Sequence, residues 1–193
     1  EISKAVVTIP ANFANEARTA TLEAAEAAGL DIEHIINEPT GAALYFSYKN
    51  TKELRGKYAI YDLGGGTFDI SIISMDGSDV EVIASNGIAK LGGDDFDNAL
   101  IELVANKYFV ETGNKLDPEF YTVTNAETDK ISLSKKKKIV AGGVEQEVDG
   151  ETIFITRAEF EDAISGLLAQ TELTCEATLD EANVGIDDIN GVI

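Results

Sequence analysis

Three consecutive glycines between two apolar segments constrain the fold of this chain more than any other feature. Residues Asp62 to Asp69 read DLGGGTFD, and apolar residues flank them at Tyr58 to Tyr61 and Ile70 to Ile73. This pattern predicts two strands joined by a tight turn, with the aspartates facing each other at the mouth of the hairpin. Glycine amides can approach an anion closely because no Cβ intervenes. Since an unpaired carboxylate is costly to bury, the segment predicts a phosphate-binding hairpin with a metal ion beside its acids.

The alternative is a glycine-rich β-turn with acidic flanks and no ligand, because Asp and Gly are common turn residues. Two acids, the hydroxyl of Thr67 and the apolar flanks together favour the phosphate site. The chain contains no G-x-x-x-x-G-K-[ST] loop, no G-x-G-x-x-G motif and no protein-kinase signature set. A phosphate site here would therefore be of a different kind from those three.

The charge of the chain restricts its partners. Of 193 residues, 35 are acidic and 15 basic, which gives a formal net charge of −20. Such a field repels nucleic-acid phosphates and anionic lipid, so we expect no nucleic-acid and no membrane partner. An anionic nucleotide would need local amide donors, helix N-termini and a divalent cation.

The small numbers of cysteine and histidine residues exclude several kinds of disulfide and metal site. Cys175 is the only cysteine and His34 the only histidine, which excludes intramolecular disulfides, cysteine zinc sites and histidine-cluster metal sites. We expect His34 on the exposed face of a strand. The sequence has no stretch of membrane-span length and no recognisable signal peptide, so a cytoplasmic location is predicted.

Strand and helix patterns alternate along the chain, which is typical of an α/β fold. Strands are predicted at Ala5–Ile9, Asp31–Ile36, Lys57–Met75 (the hairpin), Val80–Ala84, Ile139–Ala141 and Thr152–Ile155. Helices are predicted at Asn12–Gly29, Glu38–Tyr48, Phe96–Val110, Ala126–Ser134 and Thr156–Ala182. Thr156 and Glu159 form a predicted capping box at the start of the last helix. The lysine run 135–138 is predicted to be a solvated edge, and a Gly142-Gly143 turn and the acidic stretch 145–151 are predicted between the last two strands.

Five segments, in this order along the chain, resemble the nucleotide-binding domain of the seventy-kilodalton heat-shock chaperones of the DnaK type. They are AVVTIPANF (5–13), INEPTGAAL (36–44), DLGGGTFD (62–69), LGGDDFDN (91–98) and ITRAEFE (155–161). The resemblance implies an actin-like ATPase (ribonuclease H-like) fold, mainly its second lobe, with mixed sheets and flanking helices. It also implies a cleft that holds ATP or ADP with Mg²⁺ and K⁺.

The same resemblance implies a domain organisation. Residues 1–51 would be a remnant of the first lobe, 52–91 with 170–193 the lower subdomain of the second lobe, and 92–169 its upper subdomain. The family's first phosphate loop and catalytic lysine would lie before Glu1, its second adenosine motif after Ile193, and its peptide-binding domain outside the chain. We therefore expect an excised part of a longer protein that hydrolyses ATP poorly or not at all by itself.

At the phosphate end, the resemblance assigns a role to each residue of the hairpin tip. The residues that would cradle the phosphates are Gly64, Gly65, Gly66 and Thr67. Asp62 and Glu38 resemble carboxylates that hold magnesium through its waters, and Asp69 resembles the acid that positions the attacking water or a potassium ion. Glu38, Thr67 and Asp69 are thus the expected catalytic residues, and Asp62, Glu38 and Asp69 the expected metal-binding ones.

At the nucleoside end, Gly93 matches a position where the family's backbone approaches the nucleoside. Glu127, Lys130 and Ser134 resemble residues that contact adenosine from a helix. Ile131 stands where some members of the family have an arginine that stacks on adenine, so cation–π stabilisation is absent here.

Two further positions resemble residues that couple nucleotide state to partners. Pro10 matches a proposed switch proline, and Arg18 matches an arginine that contacts the interdomain linker or the J-domain cochaperone. The residues alone favour a strand terminator at Pro10 and a solvated helix charge at Arg18.

The predicted function is therefore that of an ATP-hydrolysing chaperone, of whose nucleotide-binding domain this chain is a part. Its implied partners are a nucleotide-exchange factor, a J-domain cochaperone and client polypeptides. One alternative is a non-catalytic module in which residues 92–169 dock an exchange factor or cochaperone. Another is a different actin-like protein, such as a sugar kinase or a filament-forming protein.

Overall fold

A computed structural model describes residues 4–11, 13–50, 54–142 and 150–193 of the chain. Its strands are β1 (Lys4–Ile9), β2 (Asp31–Asn37), β3 (Arg55–Leu63), β4 (Phe68–Asp76), β5 (Asp79–Ile88), β6 (Lys138–Val140), β7 (Phe154–Thr156) and β8 (Ile189–Val192). Its helices are α1 (Asn15–Ala27), α2 (Glu38–Asn50), α3 (Gly93–Thr112), α4 (Val123–Leu133), α5 (Arg157–Ala163) and α6 (Ser165–Ala182), with a short 3₁₀ turn at Ile186–Asp188.

The chain divides into two compact units. The first comprises Glu1–Leu63, Phe68–Ala89 and Glu172–Ile193, and the second comprises Gly64–Thr67 and Lys90–Thr171. The predicted boundaries at 91/92 and 169/170 lie within two residues of the changes from one unit to the other at 89/90 and 171/172. The assignment of these segments to lobes of a larger domain stays a prediction.

The first unit contains a mixed four-stranded sheet in the order β5-β4-β3-β8, in which only the β3–β8 pair is parallel. A separate two-stranded parallel sheet pairs β1 with β2. Helix α2 packs its buried Ala43 against Ile60, Ile73 and Met75 of β3 and β4. This packing fixes the first residue of α2, Glu38, close to the mouth of the β3–β4 hairpin.

The second unit packs α3 against α4 and α5, with the β6–β7 hairpin beside them. Phe96, Leu100 and Val104 of α3 are buried and Leu103 is half-buried, so these residues at helical spacing form the core face of the helix. Gly113 ends α3 in the left-handed conformation, with φ of 75°.

The alternation of strands and helices confirms the predicted α/β class, and most predicted elements are present. His34 lies exposed on β2, and the lysines 135–138 are all exposed, as expected. The predicted start of the first helix at Asn12 lies outside the described residues, as do Gly143 and positions 145–149 of the predicted turn and acidic stretch. Helix α1 begins at Asn15, and none of its residues is buried.

Several predicted boundaries were wrong. Helices α3 and α4 each begin three residues earlier than predicted, at Gly93 and Val123. The single helix predicted from Thr156 to Ala182 is broken at Ile164, where ψ is 0° and the Ser165 hydroxyl donates to the Asp162 carbonyl at 2.7 Å. The break buries the Ile164 side chain. Strand β5 continues four residues past Ala84, because Ser85 to Ile88 pair with β4 although they lack apolar alternation. Among the described helices, none is both long and apolar enough to cross a membrane.

Candidate functional site

The tip of the β3–β4 hairpin presents a row of available amide groups. The Gly64 amide donates to the Thr67 carbonyl at 2.9 Å and closes the turn. Gly65, Gly66 and Thr67 are exposed, and within the described residues no backbone carbonyl accepts a hydrogen bond from their amides. Successive unpaired amides of this kind form a concave anion site. The loop is therefore suited to bind phosphate.

The N-terminus of α3 holds this loop in place. The amides of Gly93 and Asp94 donate to the carbonyls of Gly64 and Gly65 at 2.9 and 2.8 Å. A Cβ at Gly92 would overlap the backbone of Gly65 and lie 2.7 Å from the Gly66 nitrogen. Gly93 thus lies at the loop, and its approach to the nucleoside stays a prediction. The close approach at Gly92 was missed from the sequence.

Three carboxylates of the first unit, Glu38, Asp62 and Asp69, line one small cavity, and we call them the acidic site. Glu38 is the first residue of α2, and Asp62 and Asp69 are register partners across β3 and β4. Pro10 also lines this cavity. The predicted metal-binding residues are thus brought together, and the predicted facing of the two aspartates is confirmed.

The acidic site has the electrostatics of a cation site. Burial raises the pKa of Glu38, and the negative charges of Asp62 and Asp69 raise it further. Among the described residues, no three Asp, Glu, His or Cys side chains are arranged to coordinate a metal ion directly. Mg²⁺ gives up its waters reluctantly and is often held through them, so carboxylates that do not coordinate the ion directly could hold it through its waters.

Gly87 makes room for one of these acids and was missed from the sequence. It pairs with Asp69 across β4 and β5. A Cβ at Gly87 would lie 2.5 Å from Asp69 Oδ1 and 2.7 Å from the Phe68 carbonyl. Only the strand register could have revealed this position, because Gly87 and Asp69 are distant along the chain.

Of the predicted nucleoside residues, Glu127 and Lys130 lie on α4, Ser134 is its C-cap, and Gly93 begins α3. Glu127 and Ser134 are exposed, and the Ser134 hydroxyl donates to the Lys130 carbonyl at 3.4 Å. Lys130 and Ser134 line a cavity of about 360 Å³ together with Arg157, Phe160 and Ile164. Glu127 is not among the residues that line this cavity.

Polar contacts hold the C-terminal half of α4. The Lys130 ammonium lies 2.8 Å from Asp97 Oδ1 and donates to the Gly93 carbonyl at 3.0 Å. The Arg157 guanidinium donates to the carbonyls of Leu133 and Ser134 at 2.7 and 3.1 Å. Neither Asp97 nor Arg157 was predicted as a site residue, since each meets its partner only through the tertiary fold.

A deeper polar network stabilises the same helix. Asp129 is buried, and its Oδ2 accepts hydrogen bonds from the Tyr121 hydroxyl and the Gly142 amide, both at 2.8 Å. Burial raises the pKa of Asp129, and these two hydrogen bonds oppose that rise. The network fixes the buried side of α4 and leaves its other face to solvent.

Arg18 lies exposed on α1. This exposure agrees both with a solvated charge and with a residue that binds a partner. Its predicted role in coupling stays a prediction, as does that of Pro10.

Comparison with known proteins covers the whole chain. A family sequence model described as "Hsp70 protein" matches residues 1–193. The chain is 38% identical over 201 residues to the "Heat shock 70 kDa protein, mitochondrial" of Pisum sativum, with 100% of the chain and 29% of that protein aligned. It is 39% identical over 193 residues to the "Chaperone protein HscA homolog" of Histophilus somni, with 100% of the chain and 30% of that protein aligned. The chain thus spans about three-tenths of the length of these curated relatives.

Proposed function

The chain belongs to the Hsp70 family, and from this we propose that it is a part of the nucleotide-binding domain of a DnaK-type chaperone. The family's nucleotide-binding domain has the actin-like ATPase fold. The mixed α/β architecture of the chain agrees with it, so the fold prediction is confirmed. Membership in this family also favours a chaperone over a sugar kinase or a filament-forming protein.

The observation that carries the proposal is the exposed glycine loop. Its three available amides, at Gly65, Gly66 and Thr67, suit the β- and γ-phosphates of ATP without any lysine or arginine. In a chain of net charge −20, such local donors are needed to bind an anion at all.

The acidic site supplies the second part of the proposal. Glu38 and Asp62 would hold Mg²⁺ through its waters, and bound Mg²⁺ would neutralise phosphate charge. Asp69 would orient the attacking water or bind K⁺, and Thr67 would act beside it at the end of the glycine loop. Together with Glu38, these are the catalytic residues that we propose.

The nucleoside would be bound by the second unit. Lys130 and Ser134 line one cavity, and Gly93 accepts a hydrogen bond from Lys130. Glu127 lies on the exposed face of the same helix and would contact the sugar. These roles follow from the family resemblance and from the grouping of three of the four residues.

For the whole protein, we propose that ATP binding and hydrolysis control the binding of client polypeptides, with a J-domain cochaperone and a nucleotide-exchange factor as partners. We place it in the cytoplasm, although one relative is named as mitochondrial. We expect the chain alone to turn ATP over poorly or not at all.

Calorimetric titration with Mg-ADP tests the proposal, with Asp62→Ala and Lys130→Ala as variants. We expect saturable binding by the wild-type chain, weakened by Lys130→Ala, and weakened by Asp62→Ala only when Mg²⁺ is present. Absence of binding by a chain that melts cooperatively would contradict the proposal for this chain.

A second candidate function is that of a docking module for an exchange factor, within residues 92–169. Two adjacent apolar side chains near the end of α3 favour it, since Phe109 is 53% exposed and Val110 is 82% exposed. A pull-down with an exchange factor tests it. Retention that is lost in a folded Phe109→Ser, Val110→Ser double variant would support docking, and no retention of the wild-type chain would contradict it.

A further inference from the structure

Asp97 is a buried carboxylate that the proposed nucleotide site does not use. It lies on α3, one turn after Gly93, and its side chain is only 4% exposed. A charged side chain is rarely buried without a partner, because its desolvation is costly. Its partner therefore indicates why it is there.

The partner of Asp97 is the ammonium group of Lys130. The two charged atoms are 2.8 Å apart, and the Lys130 ammonium also donates to the Gly93 carbonyl at 3.0 Å. Within the described residues, no hydrogen bond to Asp97 Oδ1 accompanies this ion pair. The ammonium is thus fixed between a carboxylate and a backbone carbonyl of the same helix.

Lys130 remains within reach of a ligand. Its side chain is 21% exposed and lines the cavity of about 360 Å³ that also contains Ser134 and Arg157. Because Lys130 pairs with Asp97, it presents N–H groups whose positive charge is compensated by that carboxylate. A compensated ammonium of this kind suits a neutral acceptor, such as a sugar hydroxyl, better than a phosphate.

We propose that Asp97 is a positioning residue for nucleoside recognition. It fixes the Lys130 ammonium and cancels its charge, so that Lys130 binds the sugar hydroxyls while the glycine loop binds the phosphates. This inference rests on the proposed function, in which Lys130 contacts the nucleoside. The two ends of a nucleotide are then distinguished by charge as well as by shape.

The test compares two probes, Mg-ADP and Mg-pyrophosphate, by calorimetric titration of the full chain. The variants are Asp97→Asn, Lys130→Met and their combination, with Glu102→Gln as the matched control because it removes one exposed charge from the same helix. We expect Asp97→Asn to weaken Mg-ADP binding about tenfold, the order of one charge-assisted hydrogen bond. Pyrophosphate affinity should be unchanged or higher, and Glu102→Gln should change neither.

The salt dependence of Mg-ADP binding distinguishes a positioning role of Asp97 from a purely structural one. The combined variant removes an ion pair of no net charge, so it should lower Mg-ADP affinity by the same factor at low and at high sodium chloride. In the Asp97→Asn background, the contribution of Lys130 should become sensitive to salt. The combined variant should bind hardly more weakly than Lys130→Met alone, because the two residues act as one group.

Each other outcome overturns the inference. Equal weakening of both probes by Asp97→Asn would show that Asp97 only supports the fold, and unchanged Mg-ADP affinity would show that it has no role in recognition. If Asp97→Asn does not fold, the salt dependence of the combined variant decides, and a salt-dependent loss overturns the inference. A folded wild-type chain that does not bind Mg-ADP overturns the proposed function as well, whereas one that binds Mg-ADP with no effect of Asp97→Asn overturns the inference alone.

Discussion

Close backbone approaches at single glycines are as important to the candidate site as its charged residues. Gly92 has extended backbone angles that any residue could adopt, with φ of −168°, so its requirement for glycine is purely steric. The Gly65 and Gly66 backbone occupies the space that a side chain at position 92 would need. The shape of the glycine loop therefore depends on a residue in the following helix.

We predict that Gly92→Ala destabilises the chain by about 1–3 kcal/mol, the usual cost of overpacking, and abolishes Mg-ADP binding by displacing the loop. Gly166→Ala is the matched control. A Cβ at Gly166, within α6, meets nothing within 4 Å, so this change should be neutral or stabilising by about 0.5–1 kcal/mol. Urea unfolding measures both variants, and equal stability of Gly92→Ala and wild type would contradict the steric argument.

The nucleoside end allows a gain-of-affinity test at one residue. Ile131 is 54% exposed, so replacing it by arginine should leave stability within about 0.5 kcal/mol. A guanidinium at this position should stack on adenine and tighten Mg-ADP binding by about 1 kcal/mol. Val123→Arg, at a site 55% exposed near the start of the same helix, controls for the added charge. Equal gains from both variants would mean that net charge, and not stacking, is responsible.

At the scale of elements, the start of α5 shows how one side chain joins several parts of the second unit. Glu159 accepts hydrogen bonds from the Thr156 amide and hydroxyl at 2.8 and 2.7 Å, which completes the predicted capping box. Its other oxygen lies 2.6 Å from the Lys107 ammonium of α3. The Lys107 contact, followed by the Thr156 hydrogen bonds, lowers the pKa of Glu159 from 4.5 to about 2.

This lowered pKa predicts a pH-dependent stability. The ionised form is favoured in the folded chain, so Glu159 stabilises it above the unfolded pKa of 4.5, and this contribution is lost as the pH falls towards about 2. Glu159→Gln should therefore cost about 1 kcal/mol or less at neutral pH, since both partners are partly solvated. The difference from wild type should shrink below the unfolded pKa. Urea unfolding across that range, with Glu161→Gln as control, checks this, and a difference independent of pH would contradict it.

The sequence predicted the elements whose signals are local. Apolar runs on either side of Gly64 to Gly66 were sufficient for the hairpin, and the Thr156–Glu159 pair was sufficient for the start of α5. The break at Ile164 was missed because apolar periodicity continues across it, and the Ser165-Gly166 pair that follows was too weak a signal. Strand β5 was predicted too short because its last residues are held by pairing with β4 and not by apolar alternation.

The candidate site likewise contains residues with a local sequence signal and residues without one. Glu38, Asp62 and Asp69 were identified because they occur in recognisable segments, and the structure brings them to one cavity. Gly87 and Asp97 have no such signal, since their roles depend on a strand register and on an ion pair between two helices. Supporting residues of this kind become visible only when the tertiary contacts are known.

At the scale of the whole molecule, the two compact units have separate cores. Ile72 is fully buried in the first unit and Leu100 in the second. Truncating either side chain to alanine should cost about 2–5 kcal/mol within its own core.

We predict that hydrogen exchange will show each loss of stability mainly within the unit that carries the substitution. Ile72→Ala should accelerate exchange chiefly in residues 54–63 and 68–89, and Leu100→Ala chiefly in residues 90–142, because cooperative opening follows compact units. Glu111→Ala, at an exposed position in the last turn of α3, serves as a control that should accelerate only nearby amides. Uniform acceleration throughout the chain by both core variants would show that it opens as a single cooperative unit.

The donors of the glycine loop belong to the backbone, and this affects how mutational scanning would portray the protein. An alanine scan deletes side chains and leaves the backbone amides in place. At Thr67 it would therefore measure only the loss of the hydroxyl. Proline at the same positions, or an ester in place of the amide, removes the donor itself. A scan that includes proline would therefore locate a phosphate site that alanine leaves unnoticed.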